Sequence, residues 1–170
     1  KELIDLAAKS GMKVLTISDH DMLPPKTVEV DGKEVDSVEY AKNKGVHLLK
    51  ACEFSCDTDV DDVHMVAYGC DFEDKKIKEV MEDIANSKIE SYKDFLKRLN
   101  ECGYEISLDE VLNYGGQQRS EKELQKKLIF NLMADKGYTK TWSDAKKLSK
   151  KDERLNVRRR KPNPVDIIKI

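Results

Sequence analysis

Long apolar runs are missing from this sequence: no stretch free of polar residues exceeds a few positions, and the amino end, Lys1 to Gly11, mixes charged and apolar residues. A membrane-spanning helix needs about 20 predominantly apolar residues, and a secretory signal needs an apolar core that this end does not provide. The expectation is a cytoplasmic chain that does not enter a membrane. Net charge is nearly absent, with 31 lysines and arginines against 33 acids. That balance does not announce a nucleic-acid binder or an acidic tail, so an anionic substrate must be held by a local constellation. Only four cysteines occur, and a chain of this size and charge does not need disulfide staples, so they read as reduced thiols. The spacing Cys52-x-x-x-Cys56 is not that of a zinc knuckle. Internal repeats and low-complexity tracts are also missing.

What is present is 39% hydrophobic content in 170 residues, enough for the core of one domain. Leu3, Ile4, Leu6, Ala7 and Ala8 fall on one helical face and Gly11 stops that helix. Val14-Leu15-Thr16-Ile17 then reads as a strand buried on both faces, ending in Ser18-Asp19-His20-Asp21. A charged turn at Asp31-Gly32 precedes a helix from Ser37 to Asn43. Strands follow over Val46–Leu49 with Ala51–Phe54, then over Val63–Tyr68 after an acidic loop at 57–62. The alternation is an α/β signature.

From Asp74 to Cys102 the period is helical, as two helices or one bent one. Ser107 and Glu110 form a capping box for a short helix ending near Asn113. Further helices are expected over Glu121–Lys136 and Ser143–Ser149. Lys150–Lys161, with its run Arg158-Arg159-Arg160-Lys161, reads as a solvated connector before a helix opened by Pro164.

Two of the three histidines stand where short strands meet acids: His20 within Asp19-His20-Asp21, and His64 after Asp61-Asp62-Val63. Imidazole nitrogen with carboxylate oxygen suits zinc, manganese or iron, and a neighbouring carboxylate can orient the ring through its second nitrogen. Glu53, in Ala51-Cys52-Glu53-Phe54-Ser55, is the third candidate, because a carboxylate among apolar strand residues is costly unless paired or metal-bound. Each has a plainer reading. His20 can be a turn residue, Glu53 the partner of a lysine, and His64 a satisfied core histidine. His47, which begins an apolar strand without a neighbouring acid, keeps the plain reading.

Taken in order, three segments carry a resemblance. Val14–Asp21 resembles the "ITDHD" strand end of the polymerase and histidinol phosphatase (PHP) family, Ala51–Ser55 resembles its "GVEIS", and Val63–Gly69 its "HLLGYG". Gly11 and Lys44-Gly45 precede the first two at matching places. Beyond Asp71 the likeness weakens. Glu121–Tyr138, ending in Lys136-Gly137-Tyr138, is similar to the family's helix that starts "RPHIA" and ends "KGY", but Lys126-Lys127-Leu128 stands where relatives carry Arg-Pro-His. Arg119 or a lysine is the available substitute. The family's "HxH", "AHP" and Asp-x-His motifs do not occur, so the expectation is a trimmed chain or one with disordered flanks.

The resemblance implies an α/β fold, part of a distorted (β/α)7 barrel. Residues 1–73 would begin the barrel, 74–150 would be a helical insertion capping the pocket, and 151–170 would return to the barrel. It implies His20, Glu53 and His64 as ligands in a centre of two or three divalent metals (manganese, zinc or iron), with Asp19 as a catalytic-site residue orienting a ligand from behind. The implied activity is hydrolysis of phosphate esters by a metal-activated water, on a phosphorylated small molecule, nucleotide or short nucleic acid, as in the small stand-alone members. The segment alone cannot build the complete site. Two other readings stay open: a binding or regulatory domain that has lost its metals, and a metal-dependent hydrolase of another ester or amide. An incomplete barrel would expose sheet edges to another chain.

Overall fold

The computed structural model describes residues 1–59 and 62–170, so the acidic loop expected at 57–62 lies partly outside the described residues. The chain forms two compact units, one made of residues 1–82 and 161–170, the other of residues 83–160.

The first unit is a mixed α/β assembly. Helix α1 (Glu2–Lys9) buries Ile4 and Ala7, one turn apart, and ends where Gly11 takes a positive φ of 75°. Strand β1 (Val14–Ile17) pairs in parallel with β4 (His47–Asp57), in the register Val14 to His47 through Ile17 to Lys50. A parallel pair needs a long crossover, which here carries the hairpin β2 (Thr27–Val30) and β3 (Lys33–Asp36) and then helix α2 (Ser37–Asn43). Asp31 and Gly32 both have positive φ, 51° and 77°, as a two-residue hairpin turn of this hand demands. Asp36 caps α2 by accepting from the amides of Val38 and Glu39. The unit's core gathers Ile4, Ala7, Tyr40, Ala41 and Val46, with Leu15, Val35 and Leu48 packed against it. The Tyr40 hydroxyl donates to Asp5 at 2.6 Å, tying α2 to α1.

Strand β4 continues without the expected interruption at Lys50 and turns back as β5 (Asp62–Tyr68), an antiparallel pair in which Glu53 faces Val66 and Ser55 faces His64. The sheet order is β1-β4-β5, so β1 is an edge strand. The expectation that β1 is buried on both faces is corrected. Leu15 packs on the core, but Val14, whose side chain alternates to the other face of the strand, is 59% exposed. Among the described residues the strands form this sheet and the hairpin, and no barrel closes. Helix α7 (Pro164–Ile168) starts with proline at its first turn and Asn163 as cap. Pro162 accepts from the Asp57 amide at the end of β4.

Helix α3 (Lys75–Glu101) is one continuous helix of 27 residues. Its residues 83–101 belong to the helical unit, with α4 (Leu108–Leu112), α5 (Lys126–Asp135) and α6 (Trp142–Lys151). Phe95, Leu99, Ile106, Val111, Ile129 and Met133 form a buried apolar core there. The single helix expected over Glu121–Lys136 is broken. Leu124 and Gln125 are extended, which lets Leu124 enter the core between a 3-10 turn (Glu121–Glu123) and α5. The charged connector is not uniformly solvated either, since Leu155 is 1% exposed and anchors it to that core. No helix among the described residues is long and apolar enough to cross a membrane.

Candidate metal centre

Regular pairing of β1 with β4 stops at Ile17, yet the two segments meet once more: His20 forms a parallel bridge with Glu53. Three backbone-directed hydrogen bonds secure this point. The Glu53 amide donates to the Asp19 carbonyl at 3.2 Å, the Asp21 amide donates to the Glu53 carbonyl at 2.8 Å, and the Ser55 amide donates to the Asp21 carboxylate at 2.9 Å. Asp21 makes these bonds at φ 54°, the left-handed region that aspartate tolerates better than most residues. On the other flank, Ser55 faces His64 across the antiparallel ladder, so His64 lies diagonally from Glu53 on the same face of the sheet.

The three side chains converge. Glu53 Oε1 lies 2.8 Å from His64 Nδ1 and 3.3 Å from His20 Nε2. The imidazole rings meet edge to face with centroids 5.1 Å apart. One ligand atom from each residue falls within 4.8 Å of the other two. The Glu53 side chain is only 19% exposed, against 63% for His20 and 44% for His64. A withdrawn carboxylate is thus flanked by two accessible imidazoles, with no lysine or arginine paired to it among the described residues.

This donor set fits a divalent ion. Two nitrogens and one carboxylate oxygen, held on one side and open to solvent on the other, are the ligands that zinc, manganese or iron accept in sites that keep positions free for water or substrate. Metal bonds of about 2.0–2.2 Å bring such donors to separations of roughly 3–4 Å, close to those found here. The cysteines of β4 stay out of this set. Burial pushes the Cys52 thiol up to about 11, with the charges of Asp21, Asp19 and Glu53 adding to it, and burial also raises Cys56. All four cysteines are free thiols.

His20, Glu53 and His64 are thus brought together, whereas the carboxylate of Asp19 is not part of the cluster. Asp19 contributes its carbonyl to the bridge, and it lines a cavity of about 650 Å³ with Ile17, Pro24, Leu48 and Lys50. His47 sits at the start of β4, opposite Val14. Asp61, expected beside His64, lies outside the described residues. Leu128 is half-buried against the core of the helical unit. The Arg119 guanidinium is spent on its own loop, donating to the Tyr114 carbonyl and to both the carbonyl and the side chain of Gln117. The residue that sequence reasoning passed over is Asp21. Its signal was present, a short polar residue directly after the strand-end histidine, but only the bridge reveals that it joins the two strands.

No family model matches the chain, and no curated protein matches it. Solved structures do. A protein from Bifidobacterium adolescentis, provisionally named a metal-dependent phosphoesterase, superposes with a TM-score of 0.67 at 21% identity, over 98% of this chain and 55% of its own. An amidohydrolase from Chromobacterium violaceum, with sulfate and no metal bound, superposes with a TM-score of 0.57 at 19% identity, over 85% of this chain and 47% of its own. The chain therefore spans about half the length of the structures it matches, and at these identities the likeness establishes a shared fold.

Proposed function

We propose that this chain carries part of the metal centre of a PHP-type phosphoesterase, with His20, Glu53 and His64 as ligands of a divalent ion and Asp19 at the edge of the same site. The observation that carries this reading is the convergence of two imidazoles on one withdrawn carboxylate at adjoining strand positions. The strands would belong to a distorted (β/α)7 barrel, and further ligands would come from residues beyond these. Manganese, zinc or iron, in a centre of two or three ions, would supply Lewis acidity toward a phosphoryl oxygen and toward water.

The protein's own residues have separable tasks. His20 and His64 would offer ring nitrogens to the ion, Glu53 would balance part of its charge, and the Asp21 bonds hold the His20 turn against β4 so that the donors stay in reach. No protein nucleophile is required. The substrates proposed are phosphorylated small molecules, nucleotides or short nucleic acids, which fits the name of the Bifidobacterium neighbour.

Metal content after reconstitution tests this reading, measured on the chain and on its full reading frame, together with phosphate release from a phosphomonoester and a nucleotide panel. Bound manganese, zinc or iron is expected, with at least tenfold weaker binding in His20→Ala, Glu53→Gln and His64→Ala. Protein that stays metal-free and inactive would put the non-catalytic binding domain in front. Metal-dependent cleavage of amides without phosphate release would favour the chemistry named for the Chromobacterium neighbour.

A further inference from the structure

The helical unit holds a second concave feature. A cavity of about 490 Å³ opens between α5, α6 and the segment after α6, within the range of small-molecule sites. Its charged lining is all of one sign. Lys126 comes from the first turn of α5, Lys146 and Lys150 come from α6, and no aspartate or glutamate lines it. Ser149 and Asn156 add polar side chains to the wall.

Lys126 is half-buried while Lys146 and Lys150 are exposed, and three observations favour an anion among them. First, none of the three has an acidic partner among the described residues, whereas Lys147, on the same helix but outside the cavity, pairs with Asp144 at 3.7 Å. Second, Lys146 and Lys150 stand one turn apart, a spacing at which like charges destabilise a helix. Third, Lys126 is partly withdrawn from water, its ammonium 4.2 Å from the Phe95 ring centroid and 5.9 Å from that of Phe130. Burial lowers its proton affinity, as befits a cation without a counter-charge. An anion in the cavity would relieve all three costs.

We infer that this cavity binds a phosphate-bearing ligand carrying at least two negative charges, with Lys126, Lys146 and Lys150 as its cationic contacts and Asn156 as a polar one, the Ser149 hydroxyl donating to the Lys146 carbonyl. Ammonium groups act on phosphate as mobile point charges, which suits a site whose three contacts come from two helices. The site does not depend on the metal centre, because every residue in it belongs to the helical unit.

The probe is inorganic pyrophosphate, titrated calorimetrically into the chain in the presence of a chelator, so that any metal centre is empty of ions and does not contribute. Saturable binding is expected. It should weaken at least tenfold in the double variant Lys146→Met/Lys150→Met and in Lys126→Met, whose side chain can still cover Phe95. Lys147→Met should bind as the parent does. A nucleoside diphosphate that displaces pyrophosphate would identify a nucleotide as the natural source of the phosphate, and displacement by a single-stranded pentanucleotide would identify a nucleic-acid backbone. Absence of saturable binding at millimolar pyrophosphate overturns the inference, as does unchanged affinity in the double variant or an equal loss in Lys147→Met. Failure here leaves the His20, Glu53 and His64 assignment untouched, since that assignment is read from metal content.

Discussion

His20 and Glu53 are bridged in the same parallel register that pairs Val14 with His47 and Ile17 with Lys50, although regular pairing stops at Ile17. The polar strand end therefore stays aligned with β4 after leaving the ladder. Its alignment rests on Asp21, which joins β4 through both its amide and its carboxylate.

Asp21→Ala removes the acceptor for the Ser55 amide and leaves a residue ill-suited to φ 54° in its place. A part-buried amide without its partner costs about 1–3 kcal/mol, and that loss is expected in urea denaturation. Asp21→Asn retains an oxygen acceptor and tolerates the left-handed region, so it should lose less and should keep more of the metal affinity. Equal stabilities for the two variants would contradict the role given to the carboxylate.

Acid should loosen the start of α4. The Lys136 ammonium, followed by the Ser107 amide, holds the Glu110 carboxyl down at about 2, from an ordinary value of 4.5. A depressed carboxylate contributes stability that is fully present above 4.5, fades as pH falls, and is lost below about 2. Glu110 is well exposed, so the contribution is small. Glu110→Gln should flatten the pH dependence of thermal unfolding between those limits. Ser107→Ala, which removes the cap itself, should cost about 1 kcal/mol at neutral pH. An unchanged pH profile in Glu110→Gln would refute the assignment.

Thiol labelling should follow exposure and proton affinity. Cys70 is exposed and Cys102 half-buried, while Cys52 and Cys56 are buried with raised thiols. Because the thiolate is the reactive form, a disulfide reagent should modify Cys70 first, Cys102 more slowly, and the β4 pair only on unfolding. Peptide mass mapping reads the order directly. Early modification of Cys52 would mean that β4 is not packed as described.

Much of this organisation was legible in the sequence. Helix α2 was expected at its observed bounds, and the capping box of Ser107 and Glu110 forms as read. Both are local: a helix cap or a hairpin turn is settled by residues within a few positions of one another. The errors share a different origin. Val14-Leu15-Thr16-Ile17 has the composition of a doubly covered strand, but coverage depends on elements supplied from elsewhere, and here Leu15 meets the core while Val14 stays exposed. Leu124 breaks an otherwise good helical pattern because the core of the helical unit has room for it. Leu155 likewise pulls a charged connector inward.

The sequence alone determined which residues have the chemistry to hold a metal. Two histidines and a carboxylate at strand positions are a statement about donor atoms, and donor atoms are carried by side-chain type. It also determined the local elements on which those residues sit. Only the tertiary structure decided that His20, Glu53 and His64 share one point in space while Asp19 turns to a neighbouring cavity. Register is the physical reason: a shift of one residue in either ladder sends Glu53 or His64 to the opposite face of the sheet. That choice belongs to the packed core and to the Asp21 bridge. The lysines around the cavity of the helical unit, without acidic partners among the described residues, arise in the same way, since α5 and α6 bring Lys126 to Lys146 and Lys150.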